Sequence, residues 1–401
     1  MRVAFYAPLK PPTHATPSGD RRMARLLISA LETAEHKVGL ASDFRSYEGR
    51  GRPDFQNALA AAARVEVDHI LETYNFARPE ARPEIWFTYH LYYKAPDYLG
   101  PPIARAMNIP YVVAEPSFAP KRAGGPWDTG HRAVAEALQQ ADAVLCLTRH
   151  DMDCIAPLVT PLTIPGGEDL DRLFHLPPFL EATPYGLSAA QRADQRQSLA
   201  TRFGVDPDKT WLMAVGMMRP GDKLESYRRL SHALHYLTDE NWQLLTVGAG
   251  AAQDDVEAAL APLGAGRVRH LGAIDPDHLP GLLAAADIFV WPAAGEAYGM
   301  AMLEAQASAV PVVAGEVRGV PEVVRDGETA LLVAENEPSL FADAVRQLIK
   351  DTARRTRMGK AARHFVQTER SVAKAGDILN TALASARTSH RIRAEISEAK
   401  Y

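Results

Sequence analysis

Short apolar, β-branched runs alternate with longer segments of helical periodicity along the whole chain. The runs predict strands at 2–7, 84–88, 110–114, 142–147, 211–216, 243–248, 286–291, 309–313 and 329–333. The helical patterns fall near 19–35, 55–73, 96–107, 129–140, 222–237, 252–263, 276–285, 297–308 and 338–350. Strands that alternate with helices imply parallel sheets covered on both faces. The series starts twice. A stretch over 165–200, rich in Pro and Gln/Arg (Pro165-Gly166-Gly167, Pro177-Pro178, Pro184), interrupts it, and a new strand opens at Trp211. The fold class read from this is α/β, with two doubly wound, Rossmann-like domains facing across a cleft and a helical segment at the C-terminus. The expected boundaries are 1–168 for the first domain, 169–205 for a linker, 206–360 for the second domain, and 361–401 for C-terminal helices packing back toward the first. Ligands of open α/β sheets bind beyond the carboxyl ends of the strands, so two facing sheets would share a site.

Composition narrows the picture. At 401 residues, the chain exceeds one ordinary core and suits two domains. A hydrophobic fraction of 47% against 23% charged is that of a globular protein rather than a disordered one. The net charge of −5 gives no reason to expect a nucleic-acid partner. Two cysteines, Cys146 and Cys154, make neither a disulfide framework nor a zinc site, which points to a reducing compartment. Pro8 breaks the N-terminal apolar run too early for a signal peptide, and no run is long enough to span a bilayer. The cytoplasm is the expected address. One segment stands apart in charge: between Arg346 and Lys374 basic residues far outnumber Asp351 and Glu369. It reads either as a solvated helical face or as a patch for an anionic membrane surface or acidic acceptor.

Candidate chemistry gathers at the ends of the predicted strands. After Ile288-Phe289-Val290-Trp291 comes the loop Pro292-Ala293-Ala294-Gly295, then Glu296-Ala297-Tyr298-Gly299-Met300-Ala301-Met302-Leu303-Glu304. Eight residues span a little over two helical turns, so Glu296 and Glu304 can face the same end of the sheet. Between them lie helix N-terminal amides, from Tyr298 through Gly299 and Met300 to Ala301, that suit an anion. Gly299, placed inside the first turn, suggests close approach by a ligand. Carboxylates for hydroxyls beside amides for phosphate describe a nucleotide-sugar site; two surface glutamates are the plainer alternative.

A second loop, Val215-Gly216-Met217-Met218-Arg219-Pro220-Gly221-Asp222-Lys223, sets two cations, Arg219 and Lys223, beside another helix N-terminus. They could neutralise a diphosphate leaving group as its charge develops. The loop after the first strand, Pro8 to Ser18, ends in Pro17-Ser18-Gly19-Asp20; Gly19 would admit a phosphate, with Ser18 or Asp20 as a cap. Asp169 and Asp171, and His232 with His235, are partial ligand sets with no third member, so no metal is expected.

With these residues in view, the chain resembles the family-4 retaining glycosyltransferases of the two-domain GT-B fold, most strongly over 211–333. The Glu-x7-Glu spacing of Glu296 and Glu304, the run Pro311-Val312-Val313-Ala314, Gly319-Val320-Pro321-Glu322, Val247-Gly248-Ala249-Gly250 and His270-Leu271-Gly272 carry the likeness. The resemblance implies that the first domain serves the acceptor and the second the nucleotide-sugar. It implies that Glu296 touches the transferred sugar, Glu304 the ribose, the amides of Gly299 to Ala301 the sugar and distal phosphate, and Arg219 with Lys223 the diphosphate. Gly19 would close the site from the other domain. No cofactor or metal is implied beyond the nucleoside diphosphate sugar itself.

Two departures bear on mechanism. Met217 stands where the family usually has its Arg, leaving Arg219 as a displaced substitute and Lys223 as the firmer assignment. Pro110-Tyr111-Val112-Val113-Ala114-Glu115-Pro116-Ser117 lacks the family's usual His, so Glu115, Ser117 or the nearby His90 would take that role near the anomeric carbon. The expected activity is retaining transfer of a sugar from a nucleoside diphosphate to an acceptor hydroxyl on a lipid-linked, saccharide or small-molecule acceptor, in cell-surface glycan, glycolipid or polysaccharide synthesis. The competing readings are a nucleotide-sugar-binding protein without transfer, and a sugar-nucleotide epimerase.

Overall fold

The computed structural model describes residues 1–16, 18–163 and 169–398. Pro17 of the first loop and Pro165-Gly166-Gly167 of the interrupting stretch therefore lie outside the described residues. The chain forms two compact units, Met1–Pro177 with Val372–Tyr401, and Pro178–Ser371.

The first unit runs β1 (Arg2–Tyr6), α1 (Gly19–Thr33), β2 (Lys37–Ser42), α2 (Pro53–Phe76), β3 (Ile85–Tyr89), α3 (Gly100–Met107), β4 (Tyr111–Ala114), α4 (Asp128–Gln140), β5 (Ala143–Cys146), α5 (Arg149–Ile155), β6 (Leu162–Thr163), β7 (Asp169–Leu170) and β8 (Leu173–His175). Six strands form one sheet in the order β2-β1-β3-β4-β5-β8, each neighbour parallel, and β6 and β7 make a separate antiparallel pair. β3, β4 and β5 are buried on both faces, as parallel sheets under helices must be. The strand order reverses between β1 and β3, which places the topological switch at their carboxyl ends. A buried carboxylate holds this unit together from the other side of β3. Asp97 accepts the amides of Leu99 (2.9 Å) and Gly100 (2.7 Å) at the start of α3, and the hydroxyls of Thr88 and Tyr111. Burial raises its pKa despite these four bonds, and a carboxylate so fully satisfied has a structural role.

The second unit contains α6 (Ala189–Phe203), β9 (Thr210–Val215), α7 (Asp222–Leu234), β10 (Trp242–Val247), α8 (Gln253–Leu260), β11 (Val268–His270), α9 (Leu279–Ala285), β12 (Ile288–Trp291), α10 (Met300–Ala307), β13 (Val312–Gly315), α11 (Val320–Val323), β14 (Ala330–Val333), α12 (Pro338–Lys350) and α13 (Thr352–Glu369). Its sheet is again parallel throughout, in the order β11-β10-β9-β12-β13-β14. Here the order reverses between β9 and β12. The last helix, α14 (Val372–Glu398), belongs to the first unit and packs on α1.

Three strands of the two six-stranded sheets escape a reading based on apolar runs, for visible reasons, as do the two-residue strands β6 and β7. β2 is a mostly solvated edge strand, β11 has three residues and no buried one, and β8 is equally short. The stretch 169–205, read as a linker, carries β7, β8 and α6. Helix α6 has a complete capping box, Ser188 with Gln191, and packs on α9. Of the helices expected to return to the first domain, α14 joins the first unit, whereas α13 stays in the second and packs on α10.

The basic run from Arg346 to Lys374 is largely spent inside the second unit. Arg355 donates to the Leu348 carbonyl, Arg363 to those of Ala307 and Leu187, and Arg370 to that of Glu322. Arg346 bonds the Tyr236 carbonyl and Lys350 pairs with Glu240 at 2.9 Å. Several of these cations sit on helix C-termini, where the dipole favours them. Among the described residues no helix is long and apolar enough to cross a membrane.

Candidate functional site

In the second unit, the switch point brings together residues far apart in sequence. Strand β9 ends at Val215, and the loop after it reaches α7, whose N-cap Gly221 has φ +86° and whose first turn carries Lys223. Strand β12 ends at Trp291, and its loop carries Glu296. Lys223 Nζ lies 2.5 Å from Glu296 Oε2, and the indole Nε1 of Trp291 donates to the same oxygen at 3.0 Å. The ammonium also lies 5.1 Å from the centre of the Trp291 ring. Lys223 and Glu296 keep only 19% and 13% of their side chains exposed, so this ion pair is poorly screened.

Backbone packing fixes the surrounding loops. Gly216 donates to the Val247 carbonyl and Met218 to that of Ala249, each at 3.0 Å; Ala252 returns a bond to Met218 O. Gly248 and Gly250 have φ of +143° and +155°, and a Cβ on either would strike the carbonyl of Gly216 or Met218. These glycines let two loops lie backbone to backbone.

Helix α10 begins at Met300 rather than 297, because Gly299 occupies a left-handed N-cap (φ +80°) ahead of it, not a place within the first turn. A Cβ there would collide with Met302 Cε. No side chain caps this terminus, so the first amides of α10 face outward from the helix as an anion would require. Tyr298 packs at the edge of the core beside them, and Met300 and Ala301 are half-buried. Glu304 lies in the second turn and is almost fully buried. Arg219 is exposed and, among the described residues, its guanidinium has no partner; Met217 is exposed as well. The structure therefore joins Lys223 to Glu296 and leaves Arg219 apart. Trp291 was not singled out by sequence; an indole at the last position of a buried strand, five residues before Glu296, was the available signal. Asp222 was read only as a helix start, yet its carboxylate packs against Gly295, whose φ of +60° favours glycine.

The first unit holds a second cluster, also at a switch point. Gly19 opens α1, capped by Ser18, whose Oγ accepts the Arg21 amide at 3.2 Å; a Cβ on Gly19 would meet nothing within 4 Å. Asp20 is not the cap but an ion-pair partner: its Oδ1 lies 3.4 Å from Nδ1 of His90. His90 follows β3 and Glu115 follows β4, and both adopt positive φ, +58° and +52°. Glu115 Oε1 lies 3.8 Å from the same His90 nitrogen. Ser117 is exposed, its amide bonded to the Leu91 carbonyl. Burial pushes the Glu115 carboxyl up to about 7, against the attraction of His90 and with the repulsion of Asp20. Burial opposes the charged form of His90, but Glu115 and Asp20 outweigh it and the pKa is raised; contact with His90 holds Asp20 below the usual carboxylate range. Among the described residues no cluster of His, Cys, Asp and Glu could hold a metal ion.

Residues 209–351, which contain the Lys223–Glu296 pair, match the family model for glycosyl transferases group 1. The second unit carries a group 1 glycosyltransferase domain. The chain is 42% identical over 116 residues to a D-inositol 3-phosphate glycosyltransferase of Corynebacterium diphtheriae, covering 29% of this chain and 27% of that protein. A D-inositol 3-phosphate glycosyltransferase of Streptomyces coelicolor is 25% identical over 92% of this chain and 83% of its own length. The strong identity to the corynebacterial relative thus spans about a quarter of that protein and falls short of the whole. In fold, HepE of Anabaena, solved with UDP, superposes with a TM-score of 0.70 at 17% identity over 96% of this chain and all of that one. Sucrose-phosphate synthase of Thermosynechococcus elongatus gives 0.67 at 18% identity over 95% and 97%. At such identities the likeness establishes the fold, two parallel-sheet Rossmann-like units of the GT-B kind, and leaves chemistry to the residues.

Proposed function

We propose that the protein is a glycosyltransferase that moves a sugar, with retention, from a nucleoside diphosphate to an acceptor hydroxyl. The observation that carries this reading is the Lys223–Glu296–Trp291 cluster at the switch point of a group 1 glycosyltransferase domain. Lys223 and Glu296 satisfy each other across their ion pair. A nucleotide-sugar would offer each a better partner, its diphosphate for the ammonium and its sugar hydroxyls for the carboxylate. As the glycosidic bond breaks, negative charge grows on the diphosphate, and a partly buried lysine beside helix N-termini stabilises it more strongly than water does. The first amides of α10, from Met300 and Ala301 after the left-handed Gly299, would hold the distal phosphate, and Glu304 on the same helix the ribose. The reading assigns charge neutralisation to Lys223, with the exposed Arg219 as a second cation, and calls for no metal. It places the enzyme in the cytoplasm, where nucleotide-sugars are made available to glycan synthesis.

Support for the donor class comes from neighbours of the same fold solved with UDP and with UDP-glucose. The displaced Arg219 and the missing N-terminal His favour one alternative, a nucleotide-sugar-binding protein without transfer. The deciding experiment is transfer from UDP-, GDP- and ADP-sugars to a broad acceptor panel, with Lys223→Ala beside the wild type. Turnover should fall more than tenfold in the variant; undiminished turnover removes the assigned role, and tight donor binding with no transfer to any acceptor selects the alternative.

A further inference from the structure

The Asp20–His90–Glu115 cluster has features that donor binding by the second unit leaves unexplained. It sits at the carboxyl ends of β1, β3 and β4, at the place where the strand order of the first sheet reverses and ligands of such sheets bind. His90 and Glu115 are both held in left-handed backbone conformations that non-glycine residues rarely adopt, and such strain persists where the surroundings enforce it for use. The enforcement is visible: the His90 amide donates to the Ala114 carbonyl at 2.9 Å and the Glu115 amide to the Leu145 carbonyl at 2.8 Å. Inside the cluster, His90 Nδ1 lies between the two carboxylates, 3.4 Å from Asp20 and 3.8 Å from Glu115. Asp20 is the most open member, with 37% of its side chain exposed.

Charge decides what such a cluster can accept. Two carboxylates bracket one imidazole, and Asp151 adds a further negative field on His90 and Glu115. Lys10 acts on Asp20 from the loop after β1, and the rings of Tyr89 and Tyr92 flank the imidazole, at 5.6 and 5.5 Å between centres. With His90 protonated and both carboxylates ionised, Asp20, His90 and Glu115 together carry one net negative charge. A phosphate brought to this site meets the repulsion of Asp20 and Glu115, which the single imidazolium only half offsets. A hydroxyl can donate to the open carboxylate, and the C–H face of a sugar or cyclitol suits the half-buried Tyr92 ring, whereas Tyr89 lies buried beneath the imidazole.

We propose that this end of the first unit is an acceptor subsite for an uncharged polyhydroxy compound, a saccharide or cyclitol, and that Asp20 and Glu115 turn phosphorylated acceptors away. The inference rests on the glycosyltransferase reading for the word acceptor. It parts from what the relatives' names say of those proteins, which are inositol 3-phosphate glycosyltransferases.

The test is binding of matched pairs to the full chain by ligand-observed NMR: myo-inositol against D-myo-inositol 3-phosphate, and glucose against glucose 6-phosphate. At pH 8 the uncharged member should bind at least about tenfold more tightly, an electrostatic difference expected for charges a few ångströms apart near a protein surface. Asp20→Asn and Glu115→Gln should each reduce that ratio. The ratio should also grow as pH rises through about 7 in the wild type, more steeply than in Glu115→Gln, where only His90 and the phosphate, with its own ionisation at about 6, still titrate. If Glu115→Gln fails to fold, as judged by circular dichroism, the half-exposed Asp20→Asn carries the comparison. Equal or tighter binding of the phosphorylated member, no binding of either member, or a ratio unmoved in the folded variants overturns the proposal. Nucleotide titrations on the same samples separate the two readings. Selective binding of the neutral member without nucleotide binding keeps this subsite and sinks the transferase reading; nucleotide binding and transfer without the selectivity sinks only the subsite.

Discussion

Lys223 and Glu296, 73 residues apart in sequence, meet at 2.5 Å because β9 and β12 are neighbours in the sheet while the helices that follow them are not consecutive. The Trp291 indole completes the cluster by donating to the same carboxylate oxygen. A hydrogen bond to a charged, mostly buried group contributes more than a neutral one. Trp291→Phe keeps an aromatic ring but removes the donor together with part of the buried indole, so it should cost at least about 1.5–3 kcal/mol in denaturant unfolding at unchanged m-value. An unaltered midpoint would mean that the indole does not hold Glu296.

Gly299 gives a second, independent test. Its φ of +80° is unfavourable for any residue with a Cβ, and the added atom would strike Met302. Gly299→Ala should lower stability by about 1 kcal/mol or more and weaken nucleotide binding by disturbing the start of α10. Equilibrium unfolding and calorimetry on one preparation report both.

Arg219 should matter less than Lys223. It is exposed and without a side-chain partner among the described residues, so Arg219→Ala should leave stability within about 0.5 kcal/mol and reduce transfer by only a few-fold. A loss as large as that of Lys223→Ala would show that Arg219 is drawn onto the diphosphate when donor binds.

His90 makes stability depend on pH with a definite sign. Its pKa is raised in the folded protein, so its contribution is fully present below the unfolded value near 6.5 and is lost as pH rises through the higher folded value. The gap in thermal midpoint between wild type and His90→Asn should therefore be wider at pH 6 than at pH 9. A gap that widens toward alkaline pH would reverse the assigned ion pairing.

Most of the architecture was legible because both sheets are parallel and buried, which writes each central strand as a continuous apolar run; Ile85–Tyr89 and Ile288–Trp291 are such runs. Edge strands carry no such mark: Lys37–Ser42 is half solvated and holds a glycine, and Val268–His270 is too short to show a period. Helix α6 hid in a Pro-rich stretch whose Ser188-to-Gln191 spacing was the clue. In the sites, glutamates and lysines at strand ends were readable from residue type and position. What decides their behaviour was not: the Trp291 bond to Glu296, the Asp222 contact with Gly295 and the Asp20–His90 pair depend on which strands become neighbours. A left-handed backbone at His90 or Glu115 leaves no trace in sequence at all.

The central claim is that the Lys223–Glu296 pair opens to receive a nucleoside diphosphate. Isothermal calorimetry with UDP, GDP and ADP on the wild type and on Lys223→Ala tests it most directly. The account expects at least one of the three to bind the wild type, with affinity falling more than tenfold in the variant. Binding of none, or equal affinity in both proteins, would contradict it.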